Sequence, residues 1–151
     1  MLDTTIGQFH GDYEWLSNFS PADILFEGTV YPTVEHAYVA SKTIAPSVRA
    51  FVQRITVPGK AKRFGRGIDL RPDWKDVRIP FMRDFIHQKF LIPEYRQLLI
   101  DTGTRPLIEG NYWHDDFWGF DLQTNKGLNW LGNIIMEERT SITGQDKHFI
   151  Y

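Results

Sequence analysis

One run constrains this chain more than any other: Tyr31-Pro32-Thr33-Val34-Glu35-His36-Ala37-Tyr38-Val39-Ala40-Ser41-Lys42. Thr33, just after Pro32, is placed to cap the N-terminus of a helix. That helix is expected to reach about Ile44, and Pro46 then stops or bends the chain. Glu35 and Lys42 are seven residues apart. At about 100° per residue they fall within roughly 20° of each other, two turns apart. Tyr38 and Val39 lie on the same side, and Ala37, Ala40 and Ser41 are small. A carboxylate and an amine therefore share a face built for burial. That costs free energy unless the two groups are paired or used.

At 151 residues, the chain is expected to form one domain, 1–151, able to bury a core without staples. It contains no Cys, which excludes disulfides, a Cys nucleophile and Cys-ligated zinc. The N-terminus lacks the basic and apolar regions of a signal peptide, and no apolar run approaches the roughly 18 residues of a membrane span. The expectation is a cytoplasmic protein without a membrane partner. Five Trp, six Tyr and eleven Phe are more than such a core needs, so some rings are expected to line a site for a flat ligand, or else all of them pack in the core. Charge is uneven: residues 1–48 carry −5, residues 49–90 carry +7 and residues 91–151 carry −4. The middle third is a candidate basic wall for phosphates, or else a solvated helix face.

Ile24-Leu25-Phe26, Glu27-Gly28 and Thr29-Val30-Tyr31 read as a hairpin with Gly at its turn. Val48, Phe51, Val52 and Ile55 have helical spacing. The basic, Gly-containing segment Pro58–Gly67 reads as a loop or broken helix. Asp73 is placed to cap a helix towards Phe90, with Pro80 tolerable near its start and Val77, Phe81, Phe85 and Phe90 inward. Pro93 suits the first turn of a helix ending near Thr102, with Gly103 as the stop. Leu107-Ile108-Glu109 reads as a short strand, Tyr112–Gly119 as an aromatic and acidic loop, and Leu128–Arg139 as a last helix. The polar tail 143–151 is expected to be loose. The fold class is α+β, mostly helical, in a single compact domain with a small sheet or hairpin.

Several groups can carry chemistry. A lysine beside a carboxylate suits carbonyl chemistry if burial lowers its pKa, although an ordinary salt bridge is the simpler account of Glu35 and Lys42. Asp115 and Asp116 offer a second carboxylate just before Trp118-Gly119, as glycoside cleavage requires. Ser17-Asn18-Phe19 offers an amide and a ring for a base, or else forms a turn. Arg63 and Arg66 are candidates for phosphate. Neither a P-loop nor a G-x-G-x-x-G motif occurs. The five His form no metal-binding pattern, and His36 reads as a helix-surface or supporting residue rather than a ligand.

At this point the residues resemble one family, the NADAR (YbiA-like) family, formerly a domain of unknown function. The resemblance is carried by Ser17-Asn18-Phe19, Tyr31 to Lys42, Gly65-Arg66 and Asp73-Trp74-Lys75-Asp76-Val77-Arg78. It continues through Met82, Lys89-Phe90, Leu107-Ile108-Glu109 and Asp115-Asp116-Phe117-Trp118-Gly119. It closes with Gly127-Leu128-Asn129-Trp130-Leu131-Gly132 running on to Met136 and Arg139. The motifs span about residues 9–140. The Gly-rich run that often follows Trp-Gly in the family is replaced here by Phe120–Asn125.

The resemblance implies a cofactor-free, metal-free N-glycosidase, a hydrolase acting on N-glycosyl compounds. Its ligand would be a phosphorylated ribosyl-base or ADP-ribose-type molecule. The substrates implied are riboflavin-pathway ribosylaminopyrimidine phosphates, or ADP-ribosyl-guanine in nucleic acid. On this resemblance Glu35, Lys42, Asp115 and Trp74 are the expected catalytic residues, with Lys42 a covalent participant. Ser17, Asn18, Phe19, Arg66, Trp118 and Asn129 are the expected binding or shaping residues. Asp115 is preferred over Asp116 by its place three before Trp118. The alternatives are a non-catalytic ADP-ribose or NAD-binding module, and an interaction domain in which all the motifs are structural.

Overall fold

The computed structural model describes residues 4–144. The expected loose tail therefore lies, from residue 145, outside the described residues. The chain divides into two compact units, one formed by Asn18–Ile92 and the other by the segments on either side of it. No helix among the described residues is long and apolar enough to cross a membrane.

The central unit begins with the expected hairpin. Strands β1 (Pro21–Phe26) and β2 (Thr29–Thr33) pair antiparallel, with Ile24 opposite Tyr31 and Phe26 opposite Thr29. Glu27 and Gly28 both have positive φ, 44° and 85°, the two-residue turn whose twist matches the strands and which Gly favours. Ala22, Ile24 and Phe26 alternate inward. Helix α1 (Val34–Ser41) follows directly and is buried on nearly every side. It packs against the hairpin and against α2 (Pro46–Arg54), α3 (Pro58–Gly65) and α4 (Trp74–Leu91). Each fully buried Val, Phe or Ile in such a core contributes about 1.5–3 kcal/mol. Phe26, Phe81 and Phe85 form a ring cluster with centroids 5.0–6.3 Å apart.

Three details depart from the reading of the sequence. Helix α1 ends at Ser41 rather than near Ile44, and Pro46 opens α2 at its first turn, where the missing N–H costs nothing. Pro58–Gly65 is a helix, not a loop or broken helix, again started by its proline. Asp73 occupies the N-cap position of α4 but makes no side-chain capping bond. Its carboxylate takes the Arg71 guanidinium instead, at 2.6 and 3.2 Å.

The other unit contains a 3-10 segment, Gly11–Leu16, then α5 (Pro93–Asp101) and α6 (Trp130–Thr143). Gly103, with φ 63°, follows α5 as expected. Leu107 lies in an isolated parallel bridge to Ile6 rather than in a strand. The strand proper is displaced to β3 (Gly110–Asn111), parallel to β4 (Phe120–Asp121). Arg139 of α6 is buried and donates to the Thr102 hydroxyl and the Arg105 carbonyl, tying α6 to the end of α5.

Candidate active site

The helix α1 is held at its start by Thr33. The His36 N–H donates to Thr33 Oγ1 at 3.0 Å, the expected cap. His36 Nε2 lies 2.7 Å from the Ile55 carbonyl, which can only accept, so Nε2 carries the proton. Nδ1 then accepts the Thr33 hydroxyl proton at 2.7 Å. Burial pushes the His36 pKa down and keeps this neutral tautomer. His36 is 1% exposed, so it is a core residue and not on the helix surface.

Glu35 is buried at 8% exposure, and its N–H donates to the Asn18 carbonyl at 3.1 Å. Lys42 ends the helix and is half-buried. Its Nζ donates to the Gly65 carbonyl at 3.3 Å and stands 5.4 Å from the Tyr38 ring centre. Burial lowers the Lys42 pKa below 10.5. The Glu35 carboxylate opposes that shift, while Arg66 and Lys62 add to it. The resulting amine is easier to deprotonate than a surface lysine, as a nucleophile requires.

Trp74 opens α4, is 6% exposed, and sets its ring 5.3 Å from Tyr38 at 53°. Asn18 donates from its amide to Met82 Sδ at 3.7 Å, while its Oδ1 is buried without a hydrogen-bond partner. An orphaned buried acceptor of this kind is costly unless a ligand donor meets it. Phe19 is exposed with Lys62 Nζ 5.9 Å from its ring, and Arg66 caps the C-terminal end of α3 on the surface. Asn18, Glu35, Lys42, Trp74 and Arg66 thus belong to one unit, arranged on α1 and the segments that hold it.

The remaining candidates belong to the other unit. Ser17 follows the 3-10 segment and donates from its backbone to the Glu14 carbonyl at 2.9 Å. Asp115 Oδ1 accepts from the backbone N–H groups of Phe117 and Trp118 at 3.1 and 3.0 Å, which shapes the loop around Trp118. The Phe117 and Trp118 rings meet edge-on at 4.8 Å. Asp116 is exposed. Asn129 is left-handed, with φ 50°. Its amide donates to the Leu107 carbonyl and its oxygen accepts from the Glu109 N–H, each at 3.0 Å. That is a shaping role.

Two further residues were given no role by the sequence. Asn111 holds the acidic loop, donating to the Asp115 carbonyl at 2.8 Å and accepting from the Asp115 and Trp113 N–H groups. Lys89 is fully buried on α4, and its Nζ donates to Ser20 Oγ at 2.6 Å. Burial lowers its pKa to about 7. The signal was present: a lone lysine among Phe85, Ile86 and Phe90. Among the described residues, no group of three or more His, Asp or Glu is placed to hold a metal ion.

The NADAR domain family model matches residues 7–143. The chain is 35% identical over 147 residues to the N-glycosidase YbiA of Escherichia coli K12, covering 94% of this chain and 91% of that one. It resembles the NMR structure of E. coli YbiA with a TM-score of 0.81 and 34% identity, over 94% of this chain and 86% of that one. An N-glycosidase of Nostoc punctiforme is 38% identical over 137 residues, 86% of each chain. A riboflavin biosynthesis protein of Vibrio vulnificus is 36% identical over 135 residues, 87% of this chain and 36% of its own length.

Proposed function

We propose, from the premise that this chain belongs to the NADAR domain family, that it is an N-glycosidase whose nucleophile is Lys42. The observation that carries the mechanism is the half-buried Lys42 amine, lowered in pKa by burial, next to the buried Glu35. The names of its relatives, N-glycosidases and a riboflavin biosynthesis protein, support the class of reaction.

The lone pair of Lys42 Nζ attacks the ribose C1. The C1–N bond to the base breaks, and the base keeps the electron pair and takes up one of the protons that the Lys42 nitrogen loses. The ring C1–O bond then opens as C1=N forms, leaving an imine on Lys42 and a hydroxyl on the sugar. Glu35 takes a proton from water as its oxygen adds to C1. Collapse expels the lysine amine and releases free ribose derivative. The sum is consumption of one water per bond, with no cofactor. Trp74 and Phe19 are the stacking surfaces, Arg66 the phosphate contact, and the orphaned Asn18 Oδ1 accepts from a base N–H.

The riboflavin biosynthesis name of one relative supports a ribosylaminopyrimidine phosphate as the substrate, with ADP-ribosyl-guanine in nucleic acid as the alternative. A paired assay tests this. The wild-type protein is offered the ribosylaminouracil phosphate and a guanine-ADP-ribosylated oligonucleotide, and free base or free ADP-ribose is measured. Release from the first, abolished by Glu35→Gln, is expected. ADP-ribose binding without release from either substrate would instead make the chain a binding module.

A further inference from the structure

Helix α3 presents two distinct faces. Its Gly65 side packs on α1, where an added Cβ would lie 2.9 Å from Val39 and 3.5 Å from Lys42 Nζ. Another side, with the end of α2, lines a cavity of about 660 Å³. Phe51 and Phe64 are both exposed there, their rings 4.8 Å apart and tilted 41°. Ile55, Arg54, Lys60 and Arg63 stand around them. The lining holds three cations and no carboxylate, and the chain from Thr43 to Ile68 contains no Asp or Glu at all. Of the other cations in that stretch, Arg49 is paired with Glu27 at 2.7 Å and Lys62 lies over Phe19.

We propose that this cavity binds a free nucleotide, separately from Lys42. A heteroaromatic base has the flat face that Phe51 and Phe64 can stack. A phosphate carries a charge of about −1.5 to −2, complementary to Arg54, Lys60 and Arg63. The volume lies in the range of pockets that enclose ligands of that size. The two rings serve one base, which favours a single nucleotide over a strand. The site also has a mechanical link to α1: the Ile55 carbonyl on its wall accepts the His36 Nε2 proton, and His36 follows Glu35.

Calorimetric titration of the full chain tests this without reference to catalysis. The probes are AMP, adenosine, inorganic phosphate and a single-stranded DNA of about ten nucleotides. Saturable one-to-one binding of AMP is expected, with adenosine and phosphate each weaker by about tenfold or more. Phe51→Ala and Arg54→Glu, both at exposed positions, should weaken AMP by about tenfold. Lys42→Ala should leave it within about twofold. Three results overturn the proposal. One is no saturable AMP binding. Another is AMP binding lost in Lys42→Ala but retained in Arg54→Glu with an unchanged unfolding midpoint. The third is a strand that binds far more tightly than AMP and depends on Arg54.

Discussion

The Nζ of Lys42 lies 3.3 Å from the carbonyl oxygen of Gly65, at the last residue of α3. The contact exists because Gly65 lacks a side chain where α3 meets α1. An alanine Cβ would sit 2.9 and 3.1 Å from the Val39 methyls and 3.5 Å from Nζ. Gly65→Ala is therefore expected to cost about 1–3 kcal/mol through overpacking. It should also lower kcat/KM. Urea unfolding and steady-state kinetics on one preparation check both effects.

Lys42 carries a pH signature. Burial lowers its pKa below 10.5, and Glu35 partly restores it. Attack requires the neutral amine, so kcat/KM should rise with pH along a limb centred below 10.5. Removing the Glu35 charge removes the restoring effect. In Glu35→Gln, the pH at which Lys42 becomes reactive to an amine-specific reagent, read by peptide mapping, should move lower. Movement to higher pH would contradict the assigned electrostatics.

Asp115 can be separated into two roles. Its Oδ1 accepts two backbone N–H groups, and Asp115→Asn retains an acceptor there. The variant should fold with near-normal stability but lose turnover if the carboxyl group transfers a proton. Asp115→Ala removes the acceptor as well and should cost about 0.5–2 kcal/mol, as loss of a cap does. Thermal unfolding of the two variants beside their rates distinguishes loop shaping from chemistry.

Lys89 makes stability depend on pH. Its pKa is about 7 in the fold and 10.5 when unfolded. Between those values the unfolded chain binds more protons, so stability should rise with pH across that window. At pH values below about 7 the cost of the buried charge is fully present. Lys89→Met should flatten this slope, measured as unfolding free energy at pH 7 and at about pH 9.5. An equal slope in both proteins would mean that another group is responsible.

Local chemistry made much of this molecule legible. Glu27-Gly28 between two alternating runs specified the hairpin, Thr33 specified the start of α1, and Pro93 and Gly103 bounded α5. The segment Pro58–Gly65 misled because its glycines read as loop punctuation. Gly65 in fact serves close helix packing, which depends on the distant Val39 and Lys42. Asp73 misled because Arg71, two residues away, outcompetes the helix N–H groups for its carboxylate. On the candidate site, Glu35 and Lys42 were legible through helical spacing. The orphaned Asn18 Oδ1 and the Lys89–Ser20 bond depend on pairings 64 and 69 residues apart, which periodicity does not encode. The family resemblance offered Asn129 as a binding or shaping residue, and both ends of its amide serve the backbone.

The covalent role of Lys42 is most directly tested by borohydride reduction during turnover of a ribosylated base. The intact protein should gain the mass of one reduced sugar adduct, mapped to Lys42 by peptide sequencing. Lys42→Arg should be unlabelled and nearly inactive. Turnover with no adduct on Lys42, together with an active Lys42→Arg protein, would contradict the imine and assign the attack to water directed by a carboxylate.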